Sequence, residues 1–177
     1  MALTKYTGPE AERITNWKGQ IGGYKLSPDG KWIAYNHGQG DVQIAVVSAD
    51  GSQNHVLSAD TSNRNGISWW PDSSRIVYTD FIDTGAMIFN TIDLNGQINS
   101  LFIAGEGMKY SNPVISPDAS QIAYEARVSG GINYGIYLSS LDGMSKTLLA
   151  GLDAYTVNSA MWSKDGKWVL VNVADSI

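Results

Sequence analysis

Short apolar runs alternate with polar turn clusters along this chain, and one such arrangement recurs four times. A turn rich in Pro, Asp, Gly and Ser leads each time into a run of β-branched and aromatic residues, which favour strands. The turns recur about every 45 residues, a period typical of repeat architectures. The matching segments are Ser27–Tyr35, Trp70–Tyr78, Ser116–Tyr124 and Ser163–Val171.

A second turn follows each of the first three segments and is also flanked by apolar runs. It contains Asp50-Gly51, Asn95-Gly96 or Asp142-Gly143. Such Asp-Gly and Asn-Gly pairs are the strongest short-range signal of a β-hairpin. Each repeat therefore contains two hairpins, and we name its four strands A, B, C and D in chain order.

Four short antiparallel strands in a repeat of this length predict a blade of a β-propeller, an all-β fold. The chain, 1–177, is then a single propeller domain with repeats at about 20–60, 64–104 and 110–150. Residues 1–16 resemble strands C and D, and residues 156–177 carry strands A and B. We predict three whole blades and two half-blades, and favour this arrangement over an irregular β-sandwich.

The phase of the repeat leaves half a blade at each end of the sequence. One chain could close on itself as a four-bladed ring, or two chains could share two blades in an eight-bladed homodimer. The sequence could also be part of a longer propeller. Small angles between blades suit this kind of blade, and exposed strand edges and apolar faces promote association. We therefore expect self-association, with C2 symmetry as its simplest form.

The segment Ser27–Gly30, with apolar Leu26 before it and a strand after it, resembles the repeat of TolB-type (WD40-like, SPDG-motif) β-propellers. Trp69, Ile115 and Trp162 occupy the same apolar position in the other repeats. The resemblance covers nearly the whole chain and implies the fold. It leaves the function open, because similar repeats occur in TolB, in the gating propellers of peptidases and in sugar-acid lyases. Those proteins usually carry more blades, and TolB and the peptidases carry a further domain that is not recognisable here.

Composition narrows the possible partners. The net charge is −5 and basic residues do not cluster, which argues against binding to a nucleic-acid backbone. The chain has no cysteine, which excludes disulfides and cysteine-based zinc sites. No apolar run is long enough to span a membrane and no signal peptide is visible, so the compartment, periplasmic or cytoplasmic, stays open.

Candidate binding residues lie where the D–A and B–C connections open at one face around the channel of a propeller. The three asparagines among them precede their A–B turns by similar distances; they could bind a peptide or a sugar, but bonds to the local backbone are the favoured explanation. We expect both histidines at the surface and no cofactor. Asp80 and Asp83 could hold Ca²⁺, although ordinary loop solvation explains them better. The channel-face candidates are Arg64, Asn65, Tyr110, Asn112, Asn158, His37, Glu125 and Arg127.

The sequence favours a non-catalytic scaffold over an enzyme, since no Gly-x-Ser-x-Gly element and no acid–base or metal constellation stands out. We expect a protein, a peptide or a small ligand to bind at the channel face. One alternative is part of a larger propeller enzyme, such as a peptidase gating domain or a sugar-acid lyase or glycan-binding module. Another is a purely structural half-propeller without a ligand.

Overall fold

The structure is a computed structural model. It describes residues 4–6, 11–15, 20–38, 42–58, 65–82, 86–105, 107–128, 134–152 and 156–174. Every regular element in these ranges is a β-strand, and every paired strand runs antiparallel to its neighbour. Among these residues, no helix is long and apolar enough to cross a membrane.

The strands form three four-stranded sheets and two two-stranded sheets. The N-terminal half-blade contains β1 (Thr4–Tyr6) and β2 (Ala11–Arg13). Blade 1 contains β3 (Gln20–Leu26), β4 (Trp32–Gly38), β5 (Gln43–Ser48) and β6 (Asn54–Val56). Blade 2 contains β7 (Asn65–Trp69), β8 (Arg75–Phe81), β9 (Met87–Asp93) and β10 (Ile98–Ile103).

Blade 3 contains β11 (Met108–Ile115), β12 (Gln121–Val128), β13 (Tyr134–Ser140) and β14 (Lys146–Leu152). The C-terminal half-blade contains β15 (Thr156–Trp162) and β16 (Val169–Ala174). Within each whole blade the strands follow one another across the sheet in chain order. The structure thus confirms the predicted three whole blades and two half-blades.

The A–B turns reverse the chain where the repeated motif predicts. In blade 1 the N–H of Gly30 donates to the carbonyl of Ser27 at 2.9 Å, and the Ser27 hydroxyl donates to the Asp29 carboxylate at 2.6 Å. The hydroxyl bond, together with a backbone N–H, holds the pKa of Asp29 below its usual value. Gly30 has φ of +73°, and Ser73 and Ala119 adopt the same left-handed conformation at the equivalent positions. The turn geometry therefore belongs to the repeat and does not require glycine.

The hydrophobic core lies mainly between blades, where the faces of neighbouring sheets meet. The A strands of successive blades lie beside one another, as the innermost strands of a propeller do. Between blades 1 and 2, the indole N–H of Trp69 donates to the carbonyl of Lys25 at 2.8 Å. Between blades 2 and 3, the ring of Phe89 stacks on Tyr110, with 5.4 Å between the ring centroids. It meets Tyr124 edge-on, with 5.1 Å between the centroids. Each blade is thus stabilised by its neighbours.

Each half-blade stacks on the whole blade next to it in sequence. Ile14, directly after β2, is buried with Ile21 and Tyr35 of blade 1. Ala160 of the C-terminal half-blade is buried with Ala123 of blade 3. In the described part of the chain, β1 and β16 belong to separate two-stranded sheets, so the two half-blades are not joined to each other.

Candidate functional site

Each described strand A has an irregular segment, which lies near the start of β3, β7 and β15 and in the middle of β11. At this point the regular pairing between strands A and B shifts, as in a β-bulge. Bulges re-aim side chains and are frequent beside functional sites. The shifts lie between Ile21 and Tyr24, between Asn65 and Ile67, between Ser111 and Val114, and between Val157 and Ser159.

In blade 3 the irregularity brings the candidates Asn112 and Glu125 together with Ser111. Asn112 lies in the shifted segment with φ of +50°, a conformation that asparagine tolerates better than most residues. Its side-chain amide donates to Glu125 Oε1 at 2.9 Å, and the Ser111 hydroxyl donates to Glu125 Oε2 at 2.9 Å. Glu125 is buried. A carboxylate offers about four acceptor positions, so it could also accept N–H or O–H donors from a ligand.

Blade 2 supports this cluster from the other side. Gly66 has φ of +63°, and a Cβ there would lie 2.6 Å from the backbone nitrogen of Asn112 and 2.9 Å from its Cα. No other residue fits without moving one of the two strands. Asn112 is therefore held between Glu125 and Gly66. Sequence reasoning missed Gly66 and Ser111, although a glycine within strand A was a signal of close backbone approach.

The repeated asparagines are not in equivalent environments. Asn112 and Asn158 lie within the shifted segments, whereas Asn65 pairs directly with Thr79. The side chains of Asn65 and Asn158 lie outside the described part of the structure. For Asn112, the described bond to Glu125 is a contact within one blade.

His37 lies inside strand β4 and not in the B–C connection. It is 1% exposed, so the expected surface position of this histidine is wrong, whereas His55 is exposed as expected. The ring centroid of His37 lies 5.8 Å from that of Tyr35. Burial lowers the pKa of His37, because desolvation disfavours the charged imidazolium. The signal was available in the sequence, because His37 continues the alternation of inward positions through Ile33 and Tyr35.

Two of the remaining candidates lie within strands of blade 3. Tyr110 is buried in the aromatic core between blades 2 and 3, and its hydroxyl accepts a bond from Lys146 Nζ at 3.4 Å. Arg127 lies within β12. Arg64 lies outside the described residues.

No metal centre is visible in the described ranges, where no group of three or more His, Cys, Asp or Glu side chains could hold an ion. Asp80 is buried within β8, and its carboxylate accepts the backbone N–H of Phe81 at 2.9 Å. Asp83, the other residue considered for Ca²⁺, lies outside the described residues. Asp80 thus accepts a hydrogen bond from the local backbone at the end of strand B.

In the part of the chain that the structure describes, an apolar face at the start of the blade series has no sheet packed against it. Tyr24 and Leu26 of β3 form this leading face, and Leu26 is 59% exposed. At the equivalent position, Trp69 and Ile115 are 6% exposed because the preceding blade covers them. The leading face therefore has the residues of a blade interface without the neighbouring blade.

A second such face, again judged from the described residues, lies at the other end of the series. Met161 and Leu170, directly opposite each other on β15 and β16, form this trailing face. Leu170 is 66% exposed, whereas residues at its equivalent position in blades 1 to 3 are 0% exposed. Those residues, which face the next blade, are Ala34, Val77 and Ala123. The trailing face thus corresponds to the side of a blade that packs against the following blade.

Sheets of four antiparallel strands, with neighbouring innermost strands and a core between sheets, define a β-propeller. The chain is similar in structure to a protein assigned as TolB from Agrobacterium tumefaciens, with a TM-score of 0.73, 20% identity, and coverage of 96% of this chain and 64% of that chain. TolB from Acinetobacter baumannii is similar with a TM-score of 0.71 and 24% identity; the match covers 90% of this chain and 39% of that chain. A chain of a nidogen/laminin complex is similar with a TM-score of 0.69 and 20% identity; the match covers 94% of this chain and 61% of that chain.

At these identities the similarity concerns the fold alone. The chain spans less than two thirds of each of these solved chains. No protein-family model and no curated protein matches its sequence.

Proposed function

We propose that this chain is a non-catalytic TolB-type propeller scaffold that completes its ring by pairing with a second copy of itself. Two copies, each with three whole blades and two half-blades, make an eight-bladed ring. The observation that carries the proposal is the pair of exposed faces around Leu26 and Leu170, each of which corresponds to a covered surface elsewhere in the same chain.

The two faces are complementary in chemistry as well as in position. Leu26 and Tyr24 belong to the side of a blade that meets the preceding blade, and Leu170 and Met161 to the side that meets the following one. Both are apolar, so their contact would bury surface of the kind that holds blades 1 to 3 together. A C2 dimer uses each face once per chain and leaves neither exposed.

In the completed ring, the proposed binding surface is the face where the innermost strands begin. The bulge of blade 3 brings the Asn112 amide to the Glu125 carboxylate, and these two groups could recognise the polar groups of a peptide, a protein loop or a small ligand. The structure of a nidogen/laminin complex, in which a similar fold occurs, supports a protein partner as one such ligand.

The native mass tests the closure. Light scattering at micromolar concentration should give twice the chain mass of 19.1 kDa. A stable mass of one chain across a dilution series would overturn the dimer. A peptide or glycan array with the wild-type protein and a Glu125→Gln variant would then test the binding face, where we expect loss of any specific ligand in the variant.

A second arrangement is supported by the length comparison. The chain covers 64% and 39% of the two TolB chains, so further blades of one longer polypeptide could cover the same two faces. Propellers of peptidases also resemble this chain, among them dipeptidyl peptidase 4 of Porphyromonas gingivalis at a TM-score of 0.61 and 9% identity. A monomeric, aggregation-prone product at 19.1 kDa would favour this arrangement.

A further inference from the structure

The repeat makes it possible to align the N-terminal half-blade with a whole blade, residue by residue. A Cβ on Gly51, in the C–D turn of blade 1, would lie 3.2 Å from the Cβ of Ile14. A Cβ on Gly96, in the C–D turn of blade 2, would lie 2.8 Å from the carbonyl oxygen of Leu57. Ile14, through its side chain, and Leu57, through its backbone, thus each approach the C–D turn of the following blade, and each directly follows a strand D. Residue 14 is therefore equivalent to residue 57.

This alignment extends to strand C through the observed pairing. In blade 1, Ala45 of β5 pairs with Val56, the residue before Leu57. In the N-terminal half-blade, Thr4 of β1 pairs with Arg13, the residue before Ile14. Thr4 is therefore equivalent to Ala45. By the same pairing, Lys5 is equivalent to Val46 and Tyr6 to Val47.

The register between strands B and C is the same in all three whole blades. The first residue of strand B lies opposite the last residue of strand C in each of them, and the pairing continues without a shift. These first pairs are Trp32 with Ser48, Arg75 with Asp93, and Gln121 with Ser140. A register kept three times in one chain is the expected register of a fourth, composite blade.

From this register we infer that β16 of one copy pairs antiparallel with β1 of a second copy, with Leu170 opposite Lys5. The neighbouring pairs are then Val169 with Tyr6 and Val171 with Thr4. The inference rests on the proposed self-association and adds its strand pairing. It forms two composite blades, each built from strands A and B of one copy and strands C and D of the other.

The pairing also decides which surface Leu170 meets. The copy that contributes β1 already stacks its own blade 1 on its N-terminal half-blade, through Ile14 and Gly51. Leu170 then faces β3 of that same copy, where Leu26 is exposed. A slip of one residue would turn Leu170 to the opposite face of the sheet and leave both apolar faces uncovered.

Cysteine cross-linking measures this register, because the chain contains no cysteine of its own. Residues directly opposite each other on antiparallel strands have Cβ atoms about 4.5–5.5 Å apart, close enough for a disulfide after small adjustments. A size-tagged Lys5→Cys chain is mixed with an untagged Leu170→Cys chain, oxidised mildly, and run on a non-reducing gel. We expect the tagged–untagged heterodimer to form at least tenfold faster than with Val171→Cys in place of Leu170→Cys.

A second in-register pair, Tyr6→Cys mixed with Val169→Cys, serves if Leu170→Cys weakens association. Faster cross-linking of the slipped pair overturns the inferred register. So does the absence of cross-links in both in-register pairs when light scattering still gives the mass of two chains, a result that leaves the proposed dimer standing. A wild-type mass of one chain overturns the self-association itself. In a doubly substituted Lys5→Cys, Leu170→Cys chain, a cross-link confined to single chains would overturn pairing in trans.

Discussion

Replacing Leu170 with alanine removes three carbon atoms from the centre of the trailing face. About two thirds of this side chain is exposed in the single chain, and the proposed partner would cover it. At about 0.8 kcal/mol per buried methylene group, the lost burial is about 1.6 kcal/mol for each of the two contacts in a C2 dimer. The total of about 3 kcal/mol raises the dissociation constant of the dimer ~200-fold.

Sedimentation of a dilution series measures this constant for the wild type and for the variant. The fold should survive, because Ala34 and Ala123 occupy the equivalent position in blades 1 and 3. Met144→Ala is the matched control, since Met144 is 88% exposed in a C–D turn away from both apolar faces. It should leave the dissociation constant within about twofold of wild type, since it buries nothing at the contact.

Two results would refute this reasoning. One is a Leu170→Ala variant that dimerises as tightly as the wild type, which would mean that the trailing face is not part of the contact. The other is an equal weakening by Met144→Ala, which would mean that the effect is general and not specific to the apolar faces.

Three further substitutions test the blades themselves. Gly66→Ala should lower the free energy of unfolding, measured by urea denaturation, by at least about 2 kcal/mol, because the φ of +63° and the backbone of Asn112 exclude a Cβ. A variant with the urea midpoint of the wild type would contradict the close approach. Trp69→Phe should cost about 1 kcal/mol in the same assay, since it removes an indole N–H bonded to the neighbouring blade; an unchanged midpoint would show that the bond adds nothing. The hydroxyl of Ser48, followed by backbone and hydroxyl donors of the same turn, lowers the pKa of Asp50 to about 2 from 3.8. Its ionised form therefore stabilises the fold above pH 3.8, and this contribution is lost as the pH falls through about 2. Asp50→Asn should accordingly lower the urea midpoint at pH 7 and converge with wild type near pH 2, and a constant difference across this range would contradict the assignment.

Much of the candidate site could not be predicted from the repeat. Tyr110 and His37 fall near strand ends in the sequence, where a polar or amphipathic residue suggests a binding surface. Both are buried, because the strands extend further than the motif indicates and, for Tyr110, because the preceding sheet covers that face. The bond between Asn112 and Glu125 depends on a bulge, and a bulge leaves only a weak trace in the spacing of residues.

Local chemistry explains what the sequence by itself determined. The Pro-Asp and Asp-Gly turns place hairpins at a regular period, and the runs between them form strands, so four-stranded blades and the half-blades at the two ends were all predictable. Only the tertiary structure decided which residues lie between blades. Gly66 meets Asn112, and Tyr110 is buried against Phe89, because of how whole sheets stack. Contacts between blades join residues that are far apart in the chain, and turn chemistry and alternation act only over a few neighbouring positions.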